Sequence, residues 1–334
     1  MTELTQKYIN NLNKNLYSEI PTTLNVELTN KCNLNCVMCP TQNSKRDKGW
    51  MDLSLFKKIL NESVDMGVKQ VGLFTVGESI LHPKIDKFIS ISKQRDVYTY
   101  LDTNGNHIRD DMYERIIDAG LDSLKFSIDA HCQDIYKQIR KGGHFNNVLN
   151  NLIKFDNLRK KKKSSLRLYA YYLINSINEK YIAEFINVVG PYVDEIEFFV
   201  VLNHGISESY YQTLFPKRYK SIMIKHKNEV CCPNPWKRIV LSWDGYLTAC
   251  CIDFELSLSY GQYESGRLNA SWNNDRATFI RNCMRDRNFD NIPICKQCDN
   301  VKYDVSSIAL DINNQVINEY KLDFERVGKK KISQ

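Results

Sequence analysis

Between residues 24 and 201 the sequence repeats one alternation six times. Short runs rich in apolar and β-branched residues recur at Leu24–Leu28, Gln70–Phe74, Val97–Leu101, Ser123–Ile128, Leu166–Tyr172 and Glu195–Val201. Between them lie segments with helical spacing: Leu53, Phe56, Leu60 and Val64 line one face, Ile85, Phe88 and Ile89 begin another, and Phe145, Val148, Leu149 and Leu152 form a third. Strands that alternate with helices predict an α/β fold with a parallel sheet and right-handed crossovers. Six units are too few to close an eight-stranded barrel, so the expected fold is an open, curved, partial (β/α)6 TIM-like barrel. Such folds place their chemistry at the carboxyl ends of the strands.

The cysteines divide around this scaffold. Of 11, three lie at 32–39, Cys132 stands alone, and seven fall between 231 and 298. An odd number in a chain of 334 residues does not suit a secreted disulfide framework, and clustered thiols in a reducing compartment more often bind metal. No apolar run approaches the roughly 18 residues of a membrane span. The polar start, MTELTQKYINNLNKN, lacks the apolar stretch of a secretory signal. A cytoplasmic location is the expectation. The net charge of +7 owes much to the run Arg159–Lys163. That run reads as the cationic end of a helix rather than a nucleic-acid surface, so neither a membrane nor a nucleic-acid partner is expected.

Each candidate functional motif follows a predicted strand. Cys32-Asn-Leu-Asn-Cys36-Val-Met-Cys39-Pro follows the first, Thr75-Val76-Gly77-Glu78 the second, and Thr103-Asn104-Gly105 the third, while Ser127-Ile128-Asp129 ends the fourth. Thiolates suit iron–sulfur clusters and zinc alike. A cubic four-iron cluster usually takes four cysteines, so three would leave one iron open to a cofactor. By spacing alone, zinc with a distant fourth ligand stays open.

The C-x3-C-x2-C spacing, its place after the first strand and the ordered motifs that follow resemble the radical S-adenosylmethionine (SAM) superfamily across residues 24–201. The resemblance implies a 4Fe–4S cluster on Cys32, Cys36 and Cys39, with SAM chelating the open iron. One-electron cleavage of SAM would then yield a 5′-deoxyadenosyl radical that abstracts hydrogen from a substrate. It implies SAM contacts from Gly77 and Glu78 at the amino group, from Thr103, Asn104, Ser127 and Asp129 near the ribose, from Arg140 at the carboxylate and from Met38 near the adenine. Val76 departs from the family turn by replacing its first glycine. The resemblance names no catalytic side chain, and none is assigned. His82 reads as a packing or capping histidine.

The C-terminal block reads Cys231-Cys232-Pro-Asn-Pro-Trp236, Trp243-Asp244-Gly245-Tyr-Leu-Thr-Ala-Cys250-Cys251 and Cys295-Lys-Gln-Cys298. Gly245 predicts a turn between strands Ile239–Trp243 and Tyr246–Ala249. The series resembles the SPASM domain or its shortened twitch form. That implies a second, auxiliary 4Fe–4S cluster on Cys232, Cys250, Cys295 and Cys298, with Cys231 and Cys251 as alternatives inside each pair. A structural zinc on the same thiols is the competing reading. The expected organisation is an N-terminal helix over 1–20, the barrel core over 21–202, a linker over 203–230, the cysteine-rich SPASM/twitch domain over 231–300 and a tail over 301–334.

A closed auxiliary cluster could accept an electron from a carbon radical beside a hydroxyl. The spacing is similar to that of twitch-bearing dehydrogenases of aminocyclitol biosynthesis, so the expected reaction is dehydrogenation of a small polar substrate such as a sugar or aminocyclitol. The alternatives are a peptide-modifying radical SAM enzyme and a non-catalytic iron–sulfur or zinc protein. A reductase or a flavodoxin- or ferredoxin-type electron donor is the expected protein partner.

Overall fold

The computed structural model describes residues 21–204, 206–227 and 231–320. The helix expected over 1–20 and the Lys329–Lys331 end of the tail lie outside the described residues.

Six parallel strands form the core: β1 (Thr23–Val26), β3 (Gln70–Gly72), β4 (Tyr98–Thr103), β5 (Ser123–Ser127), β7 (Arg167–Ile174) and β8 (Glu195–Val200). They pair in the order β1-β3-β4-β5-β7-β8, so each strand–helix unit lays its strand beside the last. A separate two-stranded ladder joins β2 (Asn35–Cys36) to β6 (Arg140–Lys141). The helix over Leu53–Asp65 starts at Asp52, whose carboxylate accepts from the backbone of Ser54 and Leu55. It buries Phe56, Ile59 and Leu60 against the sheet. The helices at Ile85–Lys93 and Phe145–Lys162 bury the apolar faces read from the sequence.

The C-terminal cysteine region is continuous with this sheet. β9 (Arg238–Leu241) pairs parallel with β1, and β10 (Tyr246–Thr248) and β11 (Ser259–Gln262) extend the sheet antiparallel. Gly245 takes φ +91° at the β9–β10 turn. Opposite, the helix Val305–Tyr320 covers the outer edge of β8. Asn313 accepts from the Phe198 amide at 3.1 Å and donates to its carbonyl at 3.0 Å, which satisfies backbone groups an edge strand would leave open.

Two expectations need correction. The segment expected only to link, 203–230, folds into helices at Glu208–Leu214 and Lys220–Lys225, because Tyr211, Leu214, Tyr219 and Met223 fall at helical spacing and are buried. The stretch expected only to be a tail contains the helix Val305–Tyr320 for the same reason: Ile308, Ile312, Val316 and Ile317 are buried. The Arg159–Lys162 charges form the last turn of their helix, where Arg159 pairs with Asp156 and Asp194, and Lys162 with Glu114 and Asp118. No helix among the described residues is long and apolar enough to cross a membrane.

Candidate active site

The loop after β1 is held from both sides. Asn30 accepts from the Gly49 amide and donates to the Asp47 carbonyl, and the Thr29 hydroxyl donates to the Gly49 carbonyl. Further along, Cys36 pairs across the β2–β6 ladder with Arg140, and the Val37 amide donates to the Ile139 carbonyl. Cys32, Cys36 and Cys39 lie on this pinned loop and influence one another electrostatically. Burial pushes the Cys32 thiol up to about 12 and the Cys36 thiol up to about 11. Such thiols stay protonated alone and ionise when they coordinate metal. Two N–H groups face them: Asn104 Nδ2 lies 3.9 Å from Cys32 Sγ, and Arg140 Nη1 lies 3.7 Å from Cys36 Sγ. Among the described residues no three His, Cys, Asp or Glu side chains gather on a single-ion point.

The turn after β3 runs beside that loop. Gly77 has φ +82°, and a Cβ there would stand 2.2 Å from the Thr29 carbonyl oxygen, so only glycine lets this backbone approach the cysteine loop. The Glu78 amide donates to the Lys31 carbonyl. Its buried carboxylate accepts from Thr103 Oγ1 and the Asn104 amide, each at 2.7 Å. Burial raises the Glu78 pKa against those bonds. Glu78 thus straps the turn to the end of β4 and fixes Asn104 in front of Cys32. The Thr75 hydroxyl is buried without a partner, a polar atom left for something the protein does not supply.

Asp129 has φ +62° and is fully buried. Its carboxylate accepts from Arg140 Nε and Nη2 at 2.8 and 2.6 Å and from the Leu173 amide at 2.7 Å. Burial raises its pKa, and Arg140 opposes that. Arg140 is therefore held by Asp129 with one edge toward Cys36. Ser127 is half-buried at the end of β5. Met38 packs near Val201, Tyr211 and Leu214. His82 is buried, with Nε2 3.2 Å from the Met51 carbonyl and Nδ1 accepting from the Lys84 amide, a packing and capping role.

The thiols expected to hold the auxiliary cluster lie near enough to act on one another electrostatically. Burial drives the Cys232 thiol up, and the nearby thiols of Cys298 and Cys295 add to this. Cys250 also feels Cys232, and burial lifts Cys295 to about 12 and Cys298 to about 11. Asp253 shapes the Cys250–Cys251 turn by accepting from Thr248 Oγ1 at 2.6 Å and from the Leu258 amide at 2.8 Å. A hydrogen bond between the neighbouring thiols, with Arg238 alongside, holds Cys251 low, and the same bond and burial hold Cys250 high. Because β9 pairs with β1, this turn arrives against the barrel. Thr75, Val76, Cys250 and Cys251 line one small cavity.

Sequence reasoning did not single out the barrel interior. Residues 100 and 102 on β4, 125 and 127 on β5, 171 and 173 on β7, and 199 on β8 point inward and are only half-buried, while their outward neighbours Leu101, Phe126, Tyr172 and Phe198 are fully buried. The interior is thus a lumen packed less tightly than the helix-covered outer layer. It holds Asp102, Lys125, Tyr100, Tyr171 and Glu197. Arg46 was also missed. It joins Glu27, through two bonds of 3.0 and 2.8 Å, to Asp244 at 3.1 Å, tying β1 to the β9–β10 turn. A glutamate inside an apolar strand run was the available signal.

Comparison with known proteins identifies two domains along the chain. The model of the radical SAM superfamily matches residues 26–189, and that of an iron–sulfur cluster-binding domain, SPASM, matches residues 231–299. Among curated relatives, the tungsten-containing aldehyde ferredoxin oxidoreductase cofactor-modifying protein of Pyrococcus furiosus is 32% identical over 108 residues, covering 32% of this chain and 30% of that protein. A GTP 3′,8-cyclase of Clostridium botulinum is 27% identical over 193 residues, covering 57% of this chain and 59% of the cyclase. The chain therefore spans less than two thirds of either relative. In fold it is similar to BtrN in complex with AdoMet and 2-DOIA (TM-score 0.56, 18% identity, 85% of this chain and 95% of BtrN). It is also similar to Streptococcus suis SuiB bound to S-adenosylmethionine (TM-score 0.61, 17% identity, 83% of this chain and 71% of SuiB). With a radical SAM domain followed by a SPASM domain the chain belongs to the radical SAM superfamily, and those two domains imply SAM, a SAM-binding 4Fe–4S cluster and auxiliary iron–sulfur.

Proposed function

We propose that this enzyme dehydrogenates an alcohol carbon of a small polar molecule, such as a sugar or aminocyclitol, and so acts as an oxidoreductase. When bound, SAM and its cluster supply the hydrogen-abstracting chemistry. Cys32, Cys36 and Cys39 would hold that cluster, with Asn104 and Arg140 presenting N–H groups to its thiolates. Gly77 lets the backbone of its turn reach SAM, and Glu78 fixes Thr103 and Asn104 at the ribose side. Asp129 steadies Arg140, Ser127 offers a hydroxyl at the same end, and Met38 provides an apolar contact for the adenine. Cys232, Cys250, Cys295 and Cys298 would hold one auxiliary 4Fe–4S cluster that takes an electron.

The observation that supports this reading is the cavity shared by the Thr75-Val76 turn and the Cys250-Cys251 turn. That shared cavity supports a short path between the turn proposed to meet SAM and the thiols proposed to hold the auxiliary cluster. The Asp102, Lys125 and Ser127 side chains among the inward-facing residues favour a hydroxylated substrate over an apolar one.

The test is anaerobic reconstitution with iron and sulfide, followed by SAM, reductant and a panel of carbinol-deuterated cyclitols and hexoses. Deuterium should enter 5′-deoxyadenosine and a ketone should form. Replacing Cys232, Cys250, Cys295 and Cys298 together with alanine should leave SAM cleavage but abolish the ketone. No 5′-deoxyadenosine despite a well-formed cluster would sink the reading. Deuterium transfer from a peptide instead of any polyol would replace it with peptide modification.

A further inference from the structure

We infer that Asp102 is the proton acceptor of the reaction, the lumen carboxylate that takes the hydroxyl proton as substrate carbinol becomes carbonyl. This rests on the dehydrogenation reading above and adds the residue that reading lacks.

Asp102 is the last inward-facing residue of β4, two positions before Asn104. The alternation of the strand turns its side chain into the lumen, and Thr103 turns outward to Glu78. In register it faces Lys125 on β5. Lys125 does not close on it: the ammonium donates to the Tyr171 hydroxyl and sits 5.3 Å from the Tyr100 ring and 4.9 Å from the Tyr171 ring. Asp102 Oδ1 is left without a hydrogen-bond partner although it is deeply enclosed. A buried carboxylate oxygen with no protein donor is costly unless a ligand supplies one, and a substrate hydroxyl is such a donor.

Its surroundings match the task. Lys125 on β5, Glu197 on β8, Cys251 at the auxiliary turn and Glu78 at the SAM turn all act on it. Arg238 on β9 acts electrostatically on both Tyr100 and Cys251. Burial pushes the carboxyl up to about 7, with Lys125 pulling down and the three acidic neighbours pushing up. A base near neutrality is suited to proton transfer at neutral pH.

The chemistry balances. The SAM-dependent step removes one hydrogen atom from the carbinol carbon. The O–H bond would then break, its proton going to Asp102, and the auxiliary iron–sulfur group, when bound, would supply the acceptor for the one electron released as C–O becomes C=O.

The experiment compares wild type, Asp102→Asn and Asp102→Glu as full-chain enzymes loaded to equal iron content, using the deuterated cyclitol and hexose panel. The measured quantity is ketone formed per deuterium transferred to 5′-deoxyadenosine. Wild type should raise this ratio as pH climbs through about 7, and Asp102→Asn should lower it by roughly a hundredfold or more and lose the pH limb. Asp102→Glu should restore part of the ratio with a displaced limb. An unchanged ratio and limb in Asp102→Asn would overturn the assignment. Wild-type-minus-variant infrared difference spectra provide an arm that needs no substrate: a protonated-carboxyl band should vanish between pH 6 and 8, and its absence would also overturn the assignment. If no polyol transfers deuterium, the dehydrogenation reading fails separately, and the infrared titration still decides whether a carboxyl ionises in the lumen.

Discussion

At the scale of single residues, two positions concentrate the constraints. Gly77 combines a left-handed φ with a 2.2 Å approach of any Cβ to the Thr29 carbonyl. Gly77→Ala adds about 1–2 kcal/mol of backbone strain plus that clash, so the turn must shift away from the cysteine loop. SAM affinity should fall at least roughly tenfold while iron content stays, measured by equilibrium dialysis of the reconstituted protein. Wild-type affinity in the variant would remove this turn from the SAM site. Asp102 predicts a pH effect on stability. Its folded-state pKa of about 7 lies above its ordinary 3.8, so the folded chain binds more protons between those values and stability falls as pH rises through that window. The loss is on the order of 1.4 kcal/mol per pH unit across the window. Asp102→Asn should flatten the dependence and melt higher than wild type at pH 8 in calorimetry; parallel pH curves would contradict this. The motifs at the strand ends were legible because backbone turns and thiols leave spacing signatures. Asp102 and Lys125 were not, because alternation in a strand reveals its period but not which side meets water.

At the scale of elements, the six parallel strands were readable from their β-branched runs, and the observed bounds differ from the expected ones by only a few residues. The helix Val305–Tyr320 was harder. Its Ile308, Ile312 and Val316 recur at helical spacing, but valine and isoleucine themselves favour strands. Its task became visible only in three dimensions, where Asn313 satisfies both backbone groups of Phe198. Asn313→Leu should cost about 1–3 kcal/mol for each group left unpaired. A lower urea midpoint and faster hydrogen exchange at the Phe198 amide would show it, and unchanged exchange would mean that something else covers the β8 edge. The helices at Glu208–Leu214 and Lys220–Lys225 escaped notice because they are short, and a period needs several turns to emerge.

At the scale of the whole molecule, the two cysteine regions are separate in sequence, and the segments that follow Cys39 and Cys251 touch, Ser44 Oγ donating to the Phe254 carbonyl. Their ligand sets are nonetheless distinct, so iron should be lost in separate portions. The triple variant Cys32→Ala, Cys36→Ala, Cys39→Ala should retain about four irons on the auxiliary thiols; a protein without iron would refute a second cluster. The parallel pairing of β1 with β9 has a further consequence, in the order of folding. The Thr22–Lys237 contact beside it spans 215 positions. As the chain emerges from the ribosome, β1 can pair with β3 early but keeps a bare edge until β9 has been made. Contacts this far apart form late, and an unpaired edge invites association with other chains. The strand leading into Cys32 is therefore among the last to gain both neighbours, and a chain stopped at residue 202 should collect in aggregates rather than as a free half-barrel.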